Sequence, residues 1–129
     1  MSGFPAVFQL SSLDGSNGFR LDGVEAYDYS GFSVASAGDV NGDGFDDIII
    51  GARSAFFTDA GASYVVFGTD SGFAATFSLS SLNGTNGFRL GGASSYDLSG
   101  SSVASAGDVN GDGFDDLIIG AYNANPDGF

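Results

Sequence analysis

With 129 residues, 43% of them hydrophobic, and a mean hydropathy of +0.14, the chain carries enough apolar material for one modest packed domain, which excludes wholesale disorder. Sixteen acidic residues against three basic ones, all arginine, give a formal charge of −13, which argues against nucleic acid and against anionic membrane as partners. The absence of cysteine and histidine excludes a disulfide framework, a thiolate zinc site and the commonest general base.

The 22 glycines follow no three-residue period, and with 13 phenylalanines and two prolines they indicate many short strands joined by tight turns, an all-β chain. The opening Met1-Ser-Gly-Phe-Pro has neither a basic region nor a long apolar core, so no signal peptide is expected within the chain. No apolar run approaches the length of a membrane span, so no membrane insertion is expected either. Val7-Phe-Gln-Leu-Ser alternates as a half-exposed outer strand does, and the Gly-, Asn-, Ser- and Asp-rich stretch between Leu13 and Phe32 reads as connecting loops. Within that stretch Arg20 is expected to pair with a nearby carboxylate. Tyr27 and Asp28 are expected to serve structure, the ring packed between units and the carboxylate holding a loop amide.

Residues 33–38, small Ser, Ala and Gly side chains around Val34, suit a crowded inner strand. Next comes Asp39-Val-Asn-Gly-Asp-Gly-Phe-Asp-Asp, in which Asp39, Asn41 and Asp43 alternate so that their oxygens can converge while Gly42 and Gly44 allow tight curvature. The carbonyl of Phe45 and the carboxylate of Asp47 complete an all-oxygen set of the kind a hard cation such as Ca²⁺ takes. Asp46 is expected to face solvent or to cap a neighbouring strand. Taken singly, Asn41-Gly42 and Asp43-Gly44 are also hairpin-turn signals, but an ordinary turn does not need three crowded carboxylates. A helical EF-hand loop is excluded, because its acidic twelfth position falls on Ile50 here and on Ile119 in the second copy.

Asp47-Ile-Ile-Ile-Gly-Ala is a continuous β-branched run, predicted to be a strand covered on both faces. Phe56-Phe57 lies in a loop as a candidate contact patch, Ser63-Tyr-Val-Val-Phe reads as a third strand, and Thr76-Phe-Ser-Leu-Ser as the outer fourth. The chain then repeats itself at an offset of 69 residues: between residues 8–52 and 77–121, 35 of 45 positions are identical. The repeat returns the acidic loop unchanged as Asp108, Asn110, Asp112, the Phe114 carbonyl and Asp116, together with Arg89, Tyr96 and Asp97. Three units are therefore expected: residues 1–32 as the outer strand and loop of a preceding unit, 33–101 as a complete one, and 102–129 as the first two strands of the next. Stopping inside a unit suggests a piece of a longer array.

The run from Ser33-Val-Ala-Ser-Ala-Gly-Asp through Ile50-Gly-Ala resembles the FG-GAP repeat of integrin α-subunit β-propellers and their bacterial relatives. The resemblance implies four-stranded antiparallel propeller blades, about two of them, from an incomplete propeller that further blades would close. It implies one Ca²⁺ per acidic loop, two in total, held by Asp39, Asn41, Asp43, Phe45 and Asp47 and by Asp108, Asn110, Asp112, Phe114 and Asp116. It implies an extracellular or cell-surface setting, with a protein or glycan partner met by blade-face loops in adhesion. The alternative is a structural spacer or accessory domain of a carbohydrate-active enzyme. Catalysis by the chain itself is not expected, because carboxylates repeated identically have equivalent surroundings, whereas an acid and a base need surroundings that separate their pKa values.

Overall fold

A computed structural model describes residues 3–126 and is all-β apart from two single 3-10 turns, Leu10–Ser12 and Leu79–Ser81. The strands are β1 (Arg20–Asp22), β2 (Ser30–Gly38), β3 (Asp47–Ala52), β4 (Ala62–Val66), β5 (Thr76–Ser78), β6 (Gly87–Gly91), β7 (Ser102–Gly107) and β8 (Asp116–Gly120). Among the described residues no helix is long and apolar enough to cross a membrane.

The centre of the molecule is an antiparallel four-stranded sheet in the order β2-β3-β4-β6. Its middle strands are apolar because both of their faces are covered. On one face Ile50, Ala52, Ala62, Tyr64 and Val66 pack with Leu79, under Leu21, Phe73 and Phe77. On the other, Ala37, Ile49 and Val65 pack beneath Val103, Leu117 and Ile119 of the two-stranded sheet β7-β8. Ile49 and Val65 are fully buried, and each contributes about 1.5–3 kcal/mol through lost water contact.

The fourth strand of the sheet is a correction to the sequence reading. It is β6, Gly-Phe-Arg-Leu-Gly, pairing Val65 with Phe88 and Ala62 with Gly91, in a stretch whose earlier copy reads as loop. Thr76–Ser78 does form a strand, but it pairs in parallel with Arg20–Asp22 instead of joining the main sheet. Its expected mate around Val7 forms no strand, and Val7 is exposed. The physical reason is steric. Gly87 sits at a φ of 146°, and a Cβ there would strike the Val65 carbonyl, so a strand that must approach so closely is written in glycine and hidden from propensity rules.

Three side chains also depart from expectation. The rings of Tyr27 and Tyr96 are exposed instead of packed between units, because both residues sit in left-handed turns at φ of 69° and 65° that project them outward. Their neighbouring carboxylates behave as expected: Asp28 accepts the Glu25 amide and Asp97 the Ser94 amide. Arg20 pairs bidentately with Asp22, at 2.6 and 3.0 Å, but Arg89 does not repeat this, since Gly91 stands at the position equivalent to Asp22; its guanidinium lies over the Phe56 ring instead. The adjoining Phe57 is fully exposed.

Candidate metal centre

Both acidic loops join an inner strand to the strand beside it, β2 to β3 and β7 to β8, at the same end of their sheets. A register shift next to Gly38 and another next to Gly107 end each inner strand, and both glycines have positive φ, 68° and 69°. The chain then folds around its own first aspartate. Asp39 Oδ1 accepts the amides of Gly42 and Asp43 at 2.8 and 3.1 Å, and Oδ2 accepts that of Gly44 at 2.8 Å. Asp108 does the same for Gly111, Asp112 and Gly113 at 2.8, 3.1 and 2.9 Å.

The correspondence continues around the loop. Asp43 Oδ1 accepts the Phe45 amide and Asp112 Oδ1 the Phe114 amide, at 2.9 and 3.0 Å. Asn41 and Asn110 each accept the amide two residues on, those of Asp43 and Asp112. Asp47 and Asp116 reach back to the amides of Val40 and Val109, both at 2.8 Å. The carbonyls of Phe45 and Phe114 accept no backbone hydrogen bond among the described residues and so keep both lone pairs. The two acidic loops thus repeat one hydrogen-bonding geometry.

The two loops differ electrostatically. Asp47 is buried at 1% exposure and also accepts the Gly68 amide at 2.8 Å; burial pushes its pKa up, the two amides oppose this, and the charges of Asp43 and Asp39 add to the rise. Asp108 is exposed, and its loop amides, Gly113 foremost, hold its pKa down. A cation would relieve the first loop's repulsion and, with it, the cost of ionising Asp47.

The donors fit such an ion: carboxylate, amide and carbonyl oxygens, with no nitrogen or sulfur, are what Ca²⁺ takes. Among the described residues no three acidic side chains are gathered at ligating distance; their oxygens shape the loop through backbone amides and retain lone pairs for a further contact. Beside the first loop, Asn41 and Asp43 form one wall of a cleft of about 390 Å³ whose floor includes Gly68, Phe73 and Phe77.

One interaction between the loops was only half visible in the sequence. Asp115 accepts the Asp39 amide across the sheets at 2.8 Å, and its own amide donates to the Asp39 carbonyl at 3.0 Å. The expected capping of a neighbouring strand is therefore performed by Asp115, while its mate Asp46 stands exposed.

Comparison with known proteins gives the same assignment as the strand and loop pattern. The FG-GAP repeat family matches residues 30–66 and 99–129, more than half of the chain. Integrin alpha-5 of Xenopus laevis is 35% identical over 102 residues, 79% of this chain and 9% of that protein. Integrin alpha-3 of Cricetulus griseus is 35% identical over 121 residues, covering 90% of this chain and 11% of its own length. Integrin alpha pat-2 of Caenorhabditis elegans is 35% identical over 94 residues, 73% of this chain and 7% of that protein. The chain thus spans about a tenth of the length of these relatives. Two matched segments, each carrying inner strand, acidic loop and second strand, establish that this chain belongs to the FG-GAP repeat family and that its antiparallel sheets are β-propeller blades.

Proposed function

We propose that the chain is a calcium-binding propeller module that presents blade-face loops to an extracellular protein or glycan, in adhesion or ligand recognition at or outside the cell surface, and that it has no catalytic activity of its own. The observation that carries this reading is the twofold occurrence of one loop geometry at the junction of the first two strands of each blade. Kinship with integrin alpha chains supports the adhesive setting.

Asp39, Asn41, Asp43, the Phe45 carbonyl and Asp47 would hold one ion, and Asp108, Asn110, Asp112, the Phe114 carbonyl and Asp116 the other. Bound calcium supplies positive charge, two ions taking the formal charge from −13 to about −9. The chain's own residues do the rest: Asp47 fastens the loop to the third strand through Gly68, and Asp115 fastens one loop to the next. The cleft beside the first loop then has a rigid wall for a ligand.

Millimolar calcium is expected to raise the melting temperature by roughly 3–8 °C, as follows from binding to the folded state with a Kd near 10⁻⁴–10⁻³ M. The double substitution Asp43→Ala with Asp112→Ala should remove that rise. If the doubly substituted protein keeps it in full, neither loop is the metal site.

Acid should release the two ions at different pH. Protons compete with calcium for the carboxylates, and burial makes Asp47 of the first loop hold its proton to a higher pH than an ordinary aspartate. As pH falls through the carboxylate range, the first loop is expected to lose calcium before the second. Calcium titrations of Asp112→Ala and Asp43→Ala, each isolating one loop, would show this as a higher midpoint pH for the first loop.

A further inference from the structure

The first acidic loop leaves the central sheet after Gly38, and the connection from β4 to β6 leaves it after Val66, so both stand at the same end of one blade. Between them lies the cleft of about 390 Å³. Every residue lining it falls between the end of β2 and the start of β6, so both of its lips are connections of the one four-stranded sheet. The volume is that of a small-ligand site, about 300–1,000 Å³. Its aromatic floor is held in place by neighbouring rings: Phe73 stacks on Phe19 with centres 4.1 Å apart and planes inclined by 12°, and Phe77 meets it edge-on at 6.0 Å. Gly15 lies so near that a Cβ there would strike the Phe73 carbonyl.

The lip facing the acidic loop carries uncommitted polar groups. The amides of Thr69, Gly72, Phe73 and Ala74 donate to no acceptor among the described residues. The Thr69 and Ser71 hydroxyls bond to each other at 2.9 Å, and Thr69 Oγ1 also accepts the Ser71 amide at 3.2 Å, which leaves the Ser71 hydroxyl with capacity to spare. A purely apolar ligand would strand the free amides away from water. An anion would enter against a formal charge of −13 and beside Asp43, the one ionisable group in the lining. An organic cation would find that single carboxylate already accepting the Phe45 amide at one oxygen and the Asn41 side chain at the other. An extended peptide needs a straight sheet edge to pair with, and this lip is a turn, bent through Gly72 at a φ of 80°.

We propose that this cleft binds an uncharged sugar. A pyranose ring of a neutral glycan lays its apolar C–H face on Phe73 and Phe77, and its hydroxyls, which donate and accept at once, meet the free loop amides and the Ser71 hydroxyl. This narrows the recognition role proposed above, on which it rests, to one ligand class and to the end of the blade that carries the acidic loop. Asn41 and Asp43 form the opposite wall, so an ion held in that loop would stiffen the site.

Amide NMR of the full chain in millimolar calcium, titrated with short cello-, manno-, galacto- and N-acetylchito-oligosaccharides, tests this. At least one of these sugars is expected to bind saturably and to shift the amides of Thr69, Gly72, Phe73 and Ala74, with saturation transfer strongest to the C–H protons of one ring face. Oligogalacturonate, an acidic counterpart, should bind at least about tenfold more weakly. Phe73→Leu keeps an apolar side chain but removes the ring, and should weaken binding at least about fivefold. Ala74→Arg puts a long side chain on the exposed lip and should abolish it. Both variants, checked for fold by circular dichroism, should keep the calcium-induced rise in melting temperature. No saturable binding by any of these neutral sugars, amide shifts confined to the loops around Tyr27 and Phe57, or full affinity in Phe73→Leu would overturn the sugar site. A wild type that binds sugar but shows no calcium-induced rise would instead overturn the metal assignment and leave the sugar site standing.

Discussion

Ile49→Ala is expected to cost about 2–5 kcal/mol of folding stability, whereas Ile118→Ala, the same change at the same place in the repeat, should cost under about 0.5 kcal/mol. The sequences around the two residues are nearly identical, and both lie at the centre of a second strand. What separates them is the neighbour. Ile49 is at 0% exposure between Val65 and the side chains of Val103, Leu117 and Ile119, so truncating it leaves a cavity that the sheets cannot close. Ile118 is 60% exposed, and the alanine there removes atoms that already touch water. Urea unfolding gives the comparison directly from the shift of midpoint at constant slope. Equal losses at both sites would mean that the two sheets do not pack as described.

A second pair separates backbone crowding from glycine's conformational freedom. Gly51→Ala is expected to destabilise by at least about 2–3 kcal/mol, because a Cβ there would run into the Gly100 carbonyl and the Ser33 hydroxyl. Those two groups are themselves hydrogen-bonded at 2.8 Å, so neither can yield without breaking the other's contact. The crossing segment is anchored further by the Gly100 amide donating to the Gly120 carbonyl at 3.1 Å. Gly120→Ala, its repeat mate, meets only the Ser102 side chain, whose hydroxyl can rotate away, so its cost should stay below about 1 kcal/mol. The same unfolding experiment measures both. Since neither glycine has a left-handed φ, the difference cannot be assigned to backbone strain.

These pairs also show why some of the molecule is legible in its sequence and some is not. The strand Asp47–Ala52 and the acidic loop before it are set by local pattern: a β-branched run excludes a surface position, and alternating Asp and Asn around two glycines closes on its own amides. Ala62–Val66 follows for the same reason. The fourth strand of the sheet obeys a different rule. Gly87–Gly91 is a strand because Val65 and Ala62 offer it a ladder at close range, and that requirement selects glycine, which local propensity counts against a strand. Exposure of Tyr27 and Tyr96 likewise depends on the turn's handedness, which residue type alone does not reveal. In the candidate site, the residues of each loop were readable, but the bond from Asp115 to Asp39 was not, because it joins residues 76 apart through the stacking of two sheets.

The parallel ladder between Arg20–Asp22 and Thr76–Ser78 sets the order of assembly. Its partners, such as Leu21 and Phe77, are 56 positions apart, while β2, β3 and β4 of the central sheet each pair with the next strand along the chain. Closing so long a loop is slow compared with forming adjacent hairpins. The earlier of these two strands along the chain is therefore the one that must wait, docking through Leu21 only after the hairpins it covers have condensed.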